Sequence, residues 1–156
     1  MTSDDLIKDT LQTSKIIAIV GASVPKENES ISKMRLKPSI IVMKYLLEFG
    51  YKVIPVNPFS VGKKVNGETI VEKLEDISLQ IDIVNVFRPS KETPNIAKSA
   101  IKVGAKTLWL QFGIQNNEAE EIFKSAGLTC IMNKCIKQEY QRLFLKVSPV
   151  FPALKN

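Results

Sequence analysis

The stretch that most restricts the fold is Lys15-Ile16-Ile17-Ala18-Ile19-Val20-Gly21-Ala22-Ser23. An unbroken apolar run rich in Ile and Val, closed by a glycine, suits a strand buried on both faces. Such a strand belongs in a parallel sheet covered by helices on either side. Gly21 lets the backbone turn tightly at the strand's end and leaves room for close approach. A buried first strand followed by a Gly-Ala-Ser turn opens many nucleotide-binding α/β domains. Gly21 is nevertheless a lone glycine, not the three-glycine dinucleotide fingerprint.

The remaining elements follow in alternation. Ser3-Asp4-Asp5 can cap a short leading helix whose Ile7 and Leu11 share one face, packed on the sheet edge. Ala22 to Lys37 is a long polar stretch carrying Lys26, Lys33, Arg35 and Lys37 against Glu27 and Glu29. A stretch of that length is either a functional basic flap over an anionic ligand or a solvated loop. Pro38-Ser39 opens a helix through Phe49, which Gly50 ends. Tyr51 to Val56 is the second strand, stopped by Asn57-Pro58. A loop over 59–67 holds Gly62, Lys63, Lys64 and Gly67, and a short amphipathic turn of helix is expected over 69–77.

Ile81 to Phe87 is the third strand. A helix capped by Ser90 or Thr93 runs to Val103, and Lys106 to Leu110 is the fourth strand. Asn116 or Asn117 caps a helix through Ala126, Leu128 to Met132 is the fifth strand, and Ile136 to Val147 a last helix. The pattern is that of a doubly wound, Rossmann-like parallel five-stranded sheet in three layers. It forms a single domain over 15–147, preceded by a helix over 1–14 and followed by a Pro-containing tail over 148–156.

Composition narrows the chemistry. The chain of 156 residues contains no histidine, which removes the commonest general base, the Ser-His and Cys-His pairs and most catalytic zinc sites. Two cysteines are too few for a disulfide framework, the N-terminus is acidic where a signal peptide would be basic, and no window is apolar enough to span a membrane. A cytoplasmic setting follows. The net charge of +6 suits either an anionic partner or a lysine-rich soluble surface. The lysines are spread along the chain without a nucleic-acid recognition motif, so nucleic acid is not the expected partner.

In such sheets ligands bind outside the carboxyl ends of the strands, where the strand order reverses. The exits read Gly21-Ala22-Ser23, Val56-Asn57-Pro58, Val86-Phe87-Arg88-Pro89 and Gln111-Phe112-Gly113, and none of these contains an acid. The place where an NAD-binding domain puts an Asp or Glu holds Asn57, with Lys63 and Lys64 soon after. That favours a ligand with an extra phosphate over a free ribose diol. Ser23 sits where a phosphate-binding turn would offer its hydroxyl and N–H groups, or is a plain turn residue. Arg88 suits a phosphate by its charge and fork geometry, or a salt bridge with a neighbouring acid. Phe87 and Phe112 either flank a flat ring or serve as core aromatics. Cys135 follows the fifth strand and either faces a ligand at the strand ends or is a small buried residue; Cys130 is core.

Several runs carry a family resemblance: Ile19 to Ser23, Gly50 to Pro58, Asp82 to Arg88, Gly104-Ala105-Lys106, Trp109 to Gly113 and Cys135 to Glu139. In this order, over about 15–143, the chain resembles the small stand-alone CoA-binding proteins. These are similar to the N-terminal part of the succinyl-CoA synthetase alpha subunit. The resemblance implies that Gly21, Ala22 and Ser23 meet the pyrophosphate of coenzyme A. It puts Val56, Asn57 and Pro58 on the adenosine side, Lys63 or Lys64 near the 3′-phosphate, and Phe87, Arg88 and Gln111 further along the groove. Family members often carry His after the late Glu; this chain has Tyr140. The expected function is non-catalytic binding of coenzyme A or an acyl-CoA, as a monomer, a homodimer or with a partner enzyme. The alternative is an NADP- or acyl-CoA-dependent enzyme or enzyme subunit of the oxidoreductase or CoA-ligase type.

Overall fold

The computed structural model describes residues 2–25 and 37–146. Lys26, Lys33 and Arg35 of the expected flap, and Pro149 and Pro152 of the tail, lie outside the described residues. Five parallel strands form the main sheet: β1 (Ile16–Val20), β2 (Lys52–Val56), β5 (Ile83–Val86), β6 (Thr107–Leu110) and β7 (Thr129–Ile131). Their spatial order is β2-β1-β5-β6-β7. The chain reverses direction across the sheet between β1 and β5, which makes the crevice above those two strands the switch point.

Each strand alternates its side chains between two cores. Ile17 and Ile19 of β1, Ile83 of β5, Trp109 of β6 and Ile131 of β7 face one side. There they meet α1 (Ser3–Thr13), α2 (Pro38–Glu48) and α5 (Ile136–Tyr140) through Ile7, Leu11, Met43, Leu46 and Ile136. Ala18, Val84, Val86, Leu108, Leu110 and Cys130 face the other side. They meet α3 (Thr93–Lys102) and α4 (Asn117–Ser125) through Ala97, Ala100, Ala119 and Phe123. The small alanines of α3 let it lie close to the sheet. This double burial is what the apolar run at 16–20 requires.

Local chemistry accounts for most element ends. Thr2, not Ser3, caps α1: its hydroxyl accepts from Asp5 N at 3.1 Å while the Asp5 carboxylate accepts from Thr2 N at 3.1 Å. Asn116 caps α4 by accepting from Ala119 N at 3.0 Å. Neither Ser90 nor Thr93 caps α3. Ser90–Glu92 is instead a tight 3₁₀ turn, and Thr93 Oγ1 donates to Ser90 O at 2.7 Å to join it to the helix. The helical turn expected over 69–77 is confined to a 3₁₀ turn at Leu74–Asp76. Before it, Lys64–Val65 (β3) and Glu68–Thr69 (β4) form a small antiparallel hairpin whose Val65 is buried in the α2-side core. The last helix passes from α5 into a π-helical turn at Gln141–Leu145. Arg142 on that turn pairs with Asp4 at 2.7 Å and with Glu139 at 3.0 Å, clamping α1 to α5.

Candidate functional site

The first and second strand exits are laced together by hydrogen bonds. Gly21 N and Ala22 N donate to Val56 O at 2.9 and 3.2 Å, and Asn57 Nδ2 donates to Ala22 O at 2.8 Å. Asn57 Oδ1 accepts from Phe59 N at 2.9 Å, which sets the path of the following loop. Ser23 N donates to Ser39 Oγ at 2.9 Å, at the start of α2. The three N–H groups of the Gly21-Ala22-Ser23 turn therefore all serve the fold, as does the Asn57 amide. What the turn offers a ligand is close approach.

Arg88 brings a positive charge to this exit. Its stem lies against the turn: a Cβ on Gly21 would stand 2.8 Å from Arg88 Cδ and 3.1 Å from Phe87 O. Gly21 has φ +90°, so both space and backbone angle call for glycine. The Arg88 guanidinium is gripped by Glu92 in a two-point pair, Nε to Oε1 at 3.0 Å and Nη2 to Oε2 at 2.8 Å. The exit sequences contain no acid, yet one helical turn brings this carboxylate back to the site. The i to i+4 spacing across Pro89 and the 3₁₀ turn was the available signal.

A cavity of about 200 Å³ opens here, walled by Val20, Gly21, Asn57, Pro58, Phe59, Arg88, Glu92 and Ile96. A second cavity of about 200 Å³ shares Val20, Pro58 and Ile96 and continues past Val56 and Leu74 towards Ser99. Together they make a largely apolar cleft with the Arg88–Glu92 pair at one end and Glu72, Lys73 and Glu75 on the wall of the other. Ile96, Leu74 and Phe59 belong to it, although sequence reasoning did not name them as site residues. Their lining role depends on how α3 and the loops after β2 fold over the exits.

The other expected residues are placed as follows. Phe87 is half-buried and packs against the α2-side core, whereas Phe112 is 72% exposed. Phe59, 86% exposed, is the ring on the cleft wall. Gln111 is buried, and its Oε1 accepts from Asn85 Nδ2 and from Ile136 N, both at 3.3 Å. It ties the ends of β5 and β6 to α5. Lys63 and Lys64 are exposed on the β3–β4 hairpin and do not line either cavity. Cys130 is buried, and burial pushes its thiol up to about 12. Cys135 is half-buried at the start of α5 and packs on the α2-side core. Tyr140, where the family often has His, belongs to an aromatic cluster with Tyr45, Phe49, Tyr51 and Phe144. The late Glu139 is buried and held by Arg142.

A doubly wound parallel sheet with a glycine turn and a largely apolar cleft at its switch point defines a Rossmann-like α/β domain. A model of the CoA binding domain family matches residues 15–141, and the chain belongs to that family. An uncharacterized Bacillus subtilis protein, YneT, is 39% identical over 131 residues, covering 84% of this chain and 89% of its own. A Thermus thermophilus protein, cell-free ID.343, superposes with a TM-score of 0.80 at 32% identity over 92% of this chain and 100% of its own. A hypothetical protein from Pyrococcus horikoshii OT3 does so with a TM-score of 0.78 at 39% identity, over 91% of this chain and 92% of its own. Among the described residues, no helix is long and apolar enough to cross a membrane.

Proposed function

We propose that this protein binds coenzyme A or an acyl-CoA across the β1, β2 and β5 exits and performs no chemistry of its own. The observation that carries the reading is Arg88 lying over Gly21 at the switch point, beside the apolar cleft. A flat adenine ring suits the space between Val20, Pro58 and Ile96, and Arg88 supplies a phosphate with paired donors. The exposed Lys63 and Lys64, at the start of the β3–β4 hairpin, are the candidates for the 3′-phosphate. Gly21, Ala22 and Ser23 provide close backbone approach, with Asn57 fixing the loops and Gln111 bracing the far exit.

Family membership supports the choice of coenzyme A, and the lack of histidine supports a binding role. The two free thiols suit a reducing, cytoplasmic setting. Calorimetry tests the ligand choice. CoA should bind more tightly than 3′-dephospho-CoA, and NAD should hardly bind, because Asn57 stands at the β2 exit where an NAD-binding domain puts an acid. NAD binding as tight as CoA would defeat the reading. Incubation with an acyl-CoA, or with succinate, ATP and CoA, should leave the substrates unchanged. Multiple turnovers that persist in Cys135→Ser would show a catalytic protein instead.

A further inference from the structure

Arg88 is not an open receptor: Glu92 already holds the Nε and Nη2 edge of its guanidinium by two hydrogen bonds of 3.0 and 2.8 Å. Glu92 also lines the same cavity as Arg88 and Gly21. An anion entering there meets a like charge beside its binding partner, whichever edge of the guanidinium it approaches. These bonds hold the Glu92 carboxyl below its ordinary value, so it is ionised throughout the neutral range.

We infer that Glu92 is a built-in competitor for the ligand's phosphate: it occupies one edge of the Arg88 guanidinium and faces an anion at the other edge with a like charge, and it thereby lowers affinity for anionic ligands selectively. This rests on the reading of the cleft as a CoA site. The physical asymmetry is simple. A phosphate group carries more charge and more acceptor oxygens than one carboxylate, so it can win the fork. A neutral ligand in the apolar part of the cleft has no quarrel with Glu92 and does not feel its loss. Both side chains are a little over a third exposed, at 39% and 38%, so solvent screens the pair and the effect is moderate.

The test is Glu92→Gln, which keeps the shape and removes the charge. CoA and ADP should each bind about two- to fivefold more tightly, the range set by a partly exposed ion pair. Adenosine, measured by displacement of a fluorescent CoA analogue, should bind as to the parent protein. Should Glu92→Gln fail to fold, Glu92→Ala gives the same comparison. CoA affinity that is unchanged in a folded variant would overturn the inference, and weaker binding would overturn it and make Glu92 a positioning residue for Arg88. Equal tightening of adenosine would overturn it too, by pointing to shape in place of charge. If the parent protein itself fails to bind CoA, the proposed function falls, and this inference with it.

Discussion

Replacing Arg88 with alanine should weaken CoA binding by about ten- to a hundredfold, the equivalent of about 1.5–3 kcal/mol for a charge-assisted hydrogen bond. Two effects act in the same direction. The phosphate loses its paired donors, and Glu92 is left in the cleft with its charge unanswered. Stability should change little. The Arg88–Glu92 pair is more than a third exposed on both sides, and pairs of that kind contribute about 0–1 kcal/mol. Calorimetry beside a thermal melt separates the two quantities. An unchanged affinity would mean that Arg88 serves Glu92 alone.

Gly21→Ala should damage both binding and stability. The backbone angle of +90° costs a residue with a side chain about 1–3 kcal/mol. The new methyl group would also stand 2.8 Å from Arg88 Cδ and 3.1 Å from the Phe87 carbonyl oxygen. The arginine stem can swing away; the carbonyl belongs to the β5 exit and yields only with the strand. A folded Gly21→Ala protein should therefore melt lower and bind CoA at least tenfold more weakly, because Arg88 is pushed off its place. Gly62→Ala is the control. It has a similar angle of +84° but meets nothing within 4 Å, so it should lose stability and keep CoA. A Gly21→Ala protein that binds CoA as the parent does would show that the turn is not part of the site.

Much of this architecture is legible in the chain because strands buried on both faces announce themselves. Ile16–Val20, Ile83–Val86 and Thr107–Leu110 lie within their expected runs, and α2 falls between the Pro38 and Gly50 signals that bracket it. The β3–β4 hairpin is not legible: two-residue strands give no periodicity, and only Val65 betrays an inward face. At the site, the residue types at the exits are readable, but their partners are not. Asn57 and the N–H groups of the first turn look like ligand donors in sequence, yet they hydrogen-bond the neighbouring loops. Glu92 sits outside the exit motif and returns to it only because the chain coils immediately after Pro89. Such outcomes depend on how the exits are folded against each other, and one-dimensional spacing does not encode them.

Trp109 carries a separate consequence. It is the single tryptophan of the chain, fully enclosed, with its indole N–H donating to Lys134 O at 2.8 Å. Excitation at the red edge of the protein's absorption, beyond its three tyrosines, therefore interrogates one indole in one enclosed environment. The same residue stands on β6, two positions before Gln111, so its surroundings belong both to the core and to the strand end beneath the far exit. The molecule thus carries an intrinsic, unlabelled optical gauge in a single tryptophan, whose colour tracks whether the interior is sealed from water.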